Sequence, residues 1–183
     1  MSALATRESV ADVAVDVIRT LSRLGQTVAT CESLTAGLCA ATLAGVPGAS
    51  KVLRGGLITY ATELKRDLAG VDPDVLAAVG PVAAATAREM ADGAARRCGA
   101  TWALALTGVA GPDPQDGHPV GELFVGVHGP HGTYHRHVML SGTRQEIREA
   151  AVAVALAELR HSAENLDAGS LDAGTNFPPE PLV

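Results

Sequence analysis

The sequence predicts an α/β fold, a three-layer α/β/α sandwich on a mixed sheet that includes a late antiparallel hairpin. Three observations predict it. Helix and strand patterns alternate over residues 9–106, which is typical of parallel strands joined by helices. Residues 101–106 form a continuous apolar strand, as in a sheet covered on both faces. Two later strands flank a short Gly-rich turn, and this pattern predicts the hairpin.

The first elements are separated by clear breaks. Apolar residues recur at helical spacing over residues 9–24, and Gly25 ends that helix. A short strand follows over residues 26–31. An Ala- and Leu-rich helix over residues 35–44 ends at the glycines and proline of residues 45–48.

The next strand contains two glycines. It covers residues 52–60, and Gly55 and Gly56 indicate a bulge or a close approach of the backbone. A short helix is predicted over residues 62–68, followed by a turn that begins at residues 72–74.

Proline and glycine mark the limits of a longer helix. Pro81 is predicted at its first position, and Gly99 ends it after Cys98. The remaining elements are the apolar strand at 101–106, a loop at 107–119, hairpin strands at 121–127 and 133–140, and a final helix at 143–160.

Composition predicts one domain and a tail. The chain has 183 residues, 47% of them hydrophobic, which suits a single domain with its own core. We assign the domain to residues 1–161. Residues 162–183 contain acids and prolines but no Lys or Arg, and we expect this acidic tail to be disordered.

Several function classes do not fit the composition. A formal net charge of −6 argues against nucleic-acid binding. No segment approaches the about 20 apolar residues of a membrane span. The N-terminus lacks the pattern of a signal peptide, so we expect a cytoplasmic protein. The cysteines (Cys31, Cys39 and Cys98) are scattered without metal-binding spacing.

Ser33 follows the first strand. Ligands of open α/β sheets bind beyond the carboxyl ends of parallel strands, so this serine is a candidate nucleophile. Free backbone N–H groups at the start of the next helix can stabilise an oxyanion. The alternative is that Ser33 or Thr35 only caps that helix.

Tyr60 and Lys65 follow the second strand. A serine needs a base, and all six histidines come after residue 117. A buried lysine with a lowered pKa can serve instead. The alternative is a solvated Lys65 that pairs with Glu63 or Asp67.

Two further segments are candidate binding elements. The Gly-rich residues 107–112 follow the apolar strand and form either a phosphate cradle or an ordinary tight turn. Arg144 opens the last helix as either a phosphate ligand or a solvated residue in a capping segment. A metal site normally needs an added carboxylate or thiolate in a defined geometry, so we interpret the hairpin histidines as surface residues rather than metal ligands; they are His128, His131, His135 and His137.

Together these segments resemble the C-terminal domain of the CinA family, in the stand-alone form known as nicotinamide-nucleotide amidohydrolase. The resemblance covers about residues 9–160. The matching segments are ATCESLTAG at 29–37, RGGLITY at 54–60, Lys65 with LAGV at 68–71, TGVAGP at 107–112, PVG at 119–121 and SGTR at 141–144.

The resemblance implies hydrolysis of the carboxamide of nicotinamide mononucleotide (NMN) to nicotinate mononucleotide and ammonia. It implies Ser33 as nucleophile, Lys65 as general base and Tyr60 as a hydroxyl that relays the proton or holds the lysine. It implies no metal and no organic cofactor, and it favours a homo-oligomer. The pyrophosphatase activity of the N-terminal domain in fused members is not carried over.

The remaining site assignments concern substrate binding. The resemblance implies that Arg144 binds the substrate, at its phosphate. From its position alone, we expect Glu32 to face the pyridinium. N–H groups near Thr35 and Gly37 would stabilise the oxyanion. The pocket would be lined by Thr107, Gly108, Ala110 and Gly111.

The chain departs from the family pattern at Leu34, Ala36, Thr62 and Ala83, which bears on substrate fit and rate more than on the reaction class. Two other functions are open. One is a regulatory or protein-binding module without catalysis, of the competence or DNA-damage type. The other is an amidohydrolase of the same mechanism that acts on another amide.

Overall fold

A computed structural model describes residues 9–167. It contains six α-helices, five strands and one short 3-10 helix. The helices are α1 (Val10–Leu24), α2 (Leu38–Ala44), α3 (Thr62–Asp67), α4 (Pro73–Val79), α5 (Ala84–Cys98) and α6 (Arg144–Asp167). The strands are β1 (Val28–Glu32), β2 (Leu53–Ile58), β3 (Trp102–Gly108), β4 (Glu122–Gly129) and β5 (Gly132–Met139).

The strands form one mixed sheet in the order β2-β1-β3-β4-β5. The central strand β1 runs parallel to β2 and β3, whereas β4 pairs antiparallel with both β3 and β5. The predicted three-layer α/β fold with a late hairpin is therefore confirmed.

Helices cover both faces of the sheet, and each face has its own core. Leu104 and Leu106 of β3 belong to the core shared with α1, α2 and α6. Ala103 and Ala105 alternate with them and pack in the core under α5. All four side chains are fully buried, which confirms that β3 is covered on both sides.

The two glycines of β2 show both predicted features. The pairing of β1 with β2 moves from Leu53 directly to Gly55, so the strand carries an irregularity there. A Cβ on Gly56 would lie 2.5 Å from the hydroxyl oxygen of Thr30. Since real Cβ atoms do not approach that closely, β2 can lie against β1 here only with glycine.

Three helix boundaries differ from the predictions. The helix predicted from residue 35 begins at Leu38. Residues 73–79 form a full helix where only a turn was predicted. The helix predicted from Pro81 begins at Ala84. The Pro81 carbonyl instead accepts a hydrogen bond from the hydroxyl of Thr107 at 2.7 Å, which joins this segment to β3.

Helix α6 is longer than predicted. It continues past Arg160 to Asp167, because Leu159 and Ala163 remain buried in the core shared with α1. The first residues of the predicted tail are thus helical, and residues 168–183 lie outside the described part of the chain. Within residues 9–167 no helix, the 24-residue α6 included, has the length and apolar character needed to cross a membrane.

Candidate active site

The candidate site lies where the parallel strands end. The register pairs Glu32, the last residue of β1, with Ile58 of β2 and Leu106 of β3. The pairing extends one step further, because the N–H of Ser33 donates to the Leu106 carbonyl at 2.9 Å. Ser33 therefore leaves the sheet at its centre, between the segments that follow β2 and β3.

Lys65 reaches Ser33 from helix α3. Its Nζ lies 3.1 Å from the Ser33 Oγ and donates to the Thr59 carbonyl at 2.9 Å. The lysine is 2% exposed, and Asp67 pairs with the neighbouring Arg66 instead. The alternative of a solvated lysine in an ion pair is therefore wrong.

The surroundings of Lys65 favour the neutral amine. Burial lowers the pKa of this lysine below its ordinary value of 10.5, and nearby Cys31 and Glu63 oppose the shift only in part. Charged amines are disfavoured away from water, and a neutral amine has the lone pair that a base needs. Across the 3.1 Å to Ser33 that lone pair can accept the hydroxyl proton.

Tyr60 lies at the mouth of the site and is held by Arg144. The tyrosine is 55% exposed, and its hydroxyl accepts a hydrogen bond from Nη2 of Arg144 at 2.8 Å. Another guanidinium nitrogen of Arg144 donates to the Gly111 carbonyl. Arg144 thus joins the segment after β2 to the loop after β3. The lysine amine is held by the carbonyl of Thr59, a contact that sequence reasoning missed because any residue type can supply it.

Glu32 does not face the pocket. Its side chain is fully buried and accepts hydrogen bonds from the N–H groups of Gly37, Cys39 and Ala40 at 2.9, 3.0 and 2.8 Å. The hydroxyl of Thr30 adds a fourth at 3.0 Å. The expectation that Glu32 faces a pyridinium is therefore wrong, because this carboxylate binds the backbone N–H groups at the N-terminus of α2.

The same contacts correct the predicted role of the α2 N-terminus. The N–H of Gly37 is occupied by Glu32, so it is not free to stabilise an oxyanion. Gly37 is the N-cap of α2 and contributes no side chain, so the capping role proposed for Ser33 or Thr35 is wrong. Thr35 is fully buried, and its hydroxyl makes no hydrogen bond within residues 9–167.

The Gly-rich segment after β3 forms one wall of the pocket. Gly108, Ala110 and Gly111 line it as predicted. Thr107 does not line it, since it is fully buried and its hydroxyl is committed to Pro81. A Cβ on Gly108 would lie 2.3 Å from the Glu122 carbonyl oxygen, so glycine lets this wall lie directly against β4.

These segments line a pocket that opens to solvent and has a cavity volume of about 130 Å³. Sequence reasoning missed the loop residues Asp113 and Gln115, which bring a carboxylate and an amide to the pocket. The full lining is Ser33, Leu34, Tyr60, Thr62, Lys65, Pro81, Val82, Gly108, Val109, Ala110, Gly111, Asp113, Gln115 and Arg144.

The hairpin histidines have partners of other kinds. His128 contacts Asp92 at 2.8 Å, His135 contacts Arg88 at 3.0 Å, and His137 contacts Glu122 at 2.9 Å. Within the described residues, no group of three or more His, Cys, Asp or Glu is arranged to hold a metal ion.

Comparison with known proteins identifies the family. The sequence profile of the CinA C-terminal domain matches residues 10–163, nearly all of the described chain. This chain belongs to the CinA C-terminal domain family. A CinA-like protein of Frankia casuarinae is 51% identical over 140 residues, covering 76% of this chain and 32% of that protein. A putative competence-damage inducible protein of Desulforamulus reducens is 41% identical over 137 residues, covering 75% and 33%. The chain thus spans about a third of the length of these CinA relatives.

Solved structures with CinA-family names share the fold. The competence/damage inducible protein CihA of Agrobacterium tumefaciens has a TM-score of 0.81 and 35% identity, covering 90% of this chain and 99% of that one. A CinA superfamily protein of Enterobacter cloacae has a TM-score of 0.84 and 28% identity, covering 89% and 98%. In both comparisons, nearly the whole length of the other protein's chain aligns with this one.

Proposed function

We propose that this CinA-family domain is an amidohydrolase that converts NMN to nicotinate mononucleotide and ammonia by a serine–lysine mechanism. The single observation that carries the proposal is the 3.1 Å contact between the buried Lys65 amine and the Ser33 hydroxyl. A nucleophile beside a base with a lowered pKa, at the floor of a pocket, is the arrangement that acyl transfer requires.

The first half of the reaction forms an acyl-enzyme. Lys65 takes the proton of Ser33, and the serine oxygen attacks the carboxamide carbon. Backbone N–H groups beside Ser33 stabilise the oxyanion, a contribution of about 3–4 kcal/mol for one good donor. When the tetrahedral intermediate collapses, the C–N bond breaks and Lys65 returns the proton to the leaving nitrogen, which departs as ammonia.

The second half releases the acid. Water enters the position that ammonia has left, and Lys65 takes one of its protons. The hydroxyl group attacks the acyl carbon, the bond to Ser33 breaks, and Lys65 returns the proton to the serine oxygen. The product is the carboxylic acid, which releases a proton to solvent to become the carboxylate, and the enzyme recovers its starting protonation state.

Two charged side chains on the pocket lining support a substrate with charges of both signs. Arg144 is exposed at the mouth and keeps guanidinium N–H groups beyond its contacts with Tyr60 and Gly111, so it can bind a phosphate. Asp113 brings a carboxylate to the same pocket. We assign to it the role first expected of Glu32, which is to lie near the cationic pyridinium ring.

The burial of Lys65 favours catalysis over a purely protein-binding role. Burying an amine costs free energy, and a docking surface does not require it. Here the buried amine contacts a serine, as a catalytic pair does. An amidase acting on a different amide remains the second candidate, because the same serine–lysine contact would serve it.

The test is ammonia release from NMN by the purified chain, beside Ser33→Ala and the matched control Ser50→Ala. Ser50 is an exposed serine in the short 3-10 helix and does not line the pocket. Release by the wild type and Ser50→Ala that is lost in Ser33→Ala supports the proposal. A folded wild type that releases no ammonia from NMN rules out this substrate, and a panel of other carboxamides then separates the second candidate from the binding role.

Two expectations stay predictions, the first implied by the family resemblance and the second drawn from the N-terminal sequence. One is the homo-oligomer, which light scattering of the purified chain would measure. The other is the cytoplasmic location, which fractionation of the source cells would measure.

A further inference from the structure

Hydrogen bonds to its backbone carbonyl oxygens hold the turn that joins Ser33 to α2 in place. The Ser33 carbonyl accepts the Ala36 N–H at 3.1 Å. The Leu34 carbonyl accepts Nε of Arg148 at 3.0 Å, and the Thr35 carbonyl accepts Nη2 of the same arginine at 2.8 Å. Arg148 belongs to α6, so one guanidinium from a distant helix fixes two successive carbonyls beside the nucleophile.

The N–H groups of this segment divide into used and unused donors. Those of Ser33, Ala36 and Leu38 donate to backbone carbonyls. Those of Gly37, Cys39 and Ala40 donate to the Glu32 carboxylate. Within residues 9–167 the N–H groups of Leu34 and Thr35 have no acceptor. The two spare donors are therefore the two that directly follow Ser33.

The carbonyl contacts also determine where the Leu34 donor points. In a planar trans peptide the C=O and the following N–H point in opposite directions. Nη2 of Arg148 holds the Thr35 carbonyl and so directs the Ala36 N–H of the same peptide. That N–H holds the Ser33 carbonyl, which in turn directs the Leu34 N–H. Glycine is absent from positions 33–36, and Ala36 has a positive φ of 51°, so the turn is an uncommon conformation that depends on such contacts.

We propose that the N–H of Leu34 is an oxyanion donor, and that Arg148 is the positioning residue that orients it. This inference rests on the proposed serine mechanism. The N–H of the residue after a nucleophile is a recurrent oxyanion donor, because it lies within reach of the carbonyl that the nucleophile attacks. Leu34 lines the pocket beside Ser33, whereas Thr35 is fully buried off the lining and Arg148 acts through the turn.

The fork of the guanidinium suits this role. Nε and Nη2 project in the same direction and reach both carbonyls at once, while Nη1 is held by the Gln145 side chain at 3.0 Å. A lysine can donate to one carbonyl but cannot span both in a fixed plane. Arg148→Lys therefore separates the geometry of the fork from its positive charge.

The experiment measures Ser33 reactivity with a fluorophosphonate as well as turnover of NMN. In the labelling reaction the Ser33 Oγ–P bond forms, the P–F bond breaks, fluoride leaves and Lys65 takes the serine proton. The phosphonyl oxygen takes the place of the oxyanion, so the rate reports on the Leu34 donor whatever the natural substrate is. The end point reports the fraction of molecules with an intact site.

Arg148→Ala is expected to slow both labelling and kcat by about 10- to 100-fold, since removing a single oxyanion donor outright costs about 100- to 1000-fold. KM should change less than about threefold, the labelling end point should stay complete, and the pH midpoint of labelling should not move, because Lys65 is untouched. Arg148→Lys should lie between Arg148→Ala and the wild type. Arg19→Ala, an exposed arginine on α1, is the matched control and should react like the wild type.

Several results would overturn the inference. These are Arg148→Ala rates within about twofold of the wild type, a loss confined to KM, or a reduced end point with a normal rate in the labelled fraction. If Arg148→Ala does not fold, Arg148→Lys decides, and a wild-type labelling rate in it overturns the role. A wild type that labels at Ser33 but leaves NMN intact refutes the proposed substrate, and the labelling rates alone then judge Arg148. A wild type that does not label at Ser33 refutes both.

Discussion

The Nζ of Lys65 lies 3.1 Å from the Oγ of Ser33, and the side chain that carries it is 2% exposed. The carbonyl of Thr59 holds the amine from another side at 2.9 Å. Burial lowers the pKa of Lys65, and the contact places its amine within reach of the serine proton. Lysine is ordinarily a surface cation, but in this position it can act as a base. The contact between Lys65 and Ser33 is the basis of the first two predictions.

Replacing the amine should remove catalysis without unfolding the domain. Lys65→Met keeps a long unbranched side chain in the buried site but has no lone pair that can accept the serine proton. We expect kcat to fall by about 100- to 10,000-fold, which is the contribution that a general base typically makes. The melting temperature should stay at or above that of the wild type, because a buried amine is costly to desolvate. Wild-type turnover by folded Lys65→Met would refute the serine–lysine mechanism.

The activity should rise with pH along a limb set by Lys65. The base must be neutral, so kcat/KM increases as the amine loses its proton. Because burial lowers the pKa of Lys65, the midpoint should lie below the ordinary value of 10.5. A pH–rate profile of kcat/KM, at pH values where the fold is intact by circular dichroism, measures it. A midpoint at or above 10.5, or a rate independent of pH, would contradict the role of Lys65.

Arg144 should distinguish a phosphorylated substrate from its nucleoside. Its guanidinium lies at the pocket mouth, so Arg144→Ala should raise KM for NMN about 10-fold or more, with a smaller effect on kcat. The KM for nicotinamide riboside, which lacks the phosphate, should change little. Steady-state kinetics with both substrates, beside Arg97→Ala on exposed α5 surface as a control, test this. Equal KM changes for the two substrates would show that Arg144 acts by holding Tyr60 rather than by binding phosphate.

The sequence was informative about the sheet and about the groups that carry the chemistry. Alternating patterns and the apolar run of β3 predicted the layers, because burial on both faces leaves a direct mark on composition. Ser33, Tyr60 and Lys65 all line one pocket, since each follows or lies near the carboxyl end of a parallel strand.

The errors concern contacts that sequence spacing does not encode. The side chain of Glu32 points from β1 to the start of α2, where its carboxylate accepts hydrogen bonds from three backbone N–H groups. The two carbonyls held by Arg148 belong to residues more than 100 positions away. Asp113 lies in an irregular loop, and no periodicity predicts which side chain of such a loop enters the pocket.

Asp113 should affect the binding of a cationic ring. Its carboxylate lines the pocket, so Asp113→Asn should raise KM for NMN a few-fold, since an exposed charge pair is worth about 0.2–1 kcal/mol. The effect should shrink in high salt because ions screen exposed charges. Asp116→Asn removes a carboxylate from the same loop outside the pocket lining and is the matched control. Identical KM values for Asp113→Asn and the wild type at low salt would exclude this role.

Glu32 should matter for stability rather than for substrate binding. Its buried carboxylate accepts four hydrogen bonds, and in Glu32→Gln one of the oxygens becomes an NH₂ group that faces N–H donors. We expect the free energy of unfolding to fall by about 3 kcal/mol, since buried donors lose a charged acceptor. Urea denaturation of Glu32→Gln beside Glu164→Gln, an exposed glutamate on α6, measures the difference. The KM for NMN should be unchanged in the folded variant. A raised KM with normal stability would instead indicate that this carboxylate contacts the pyridinium, as first expected from its position in the sequence.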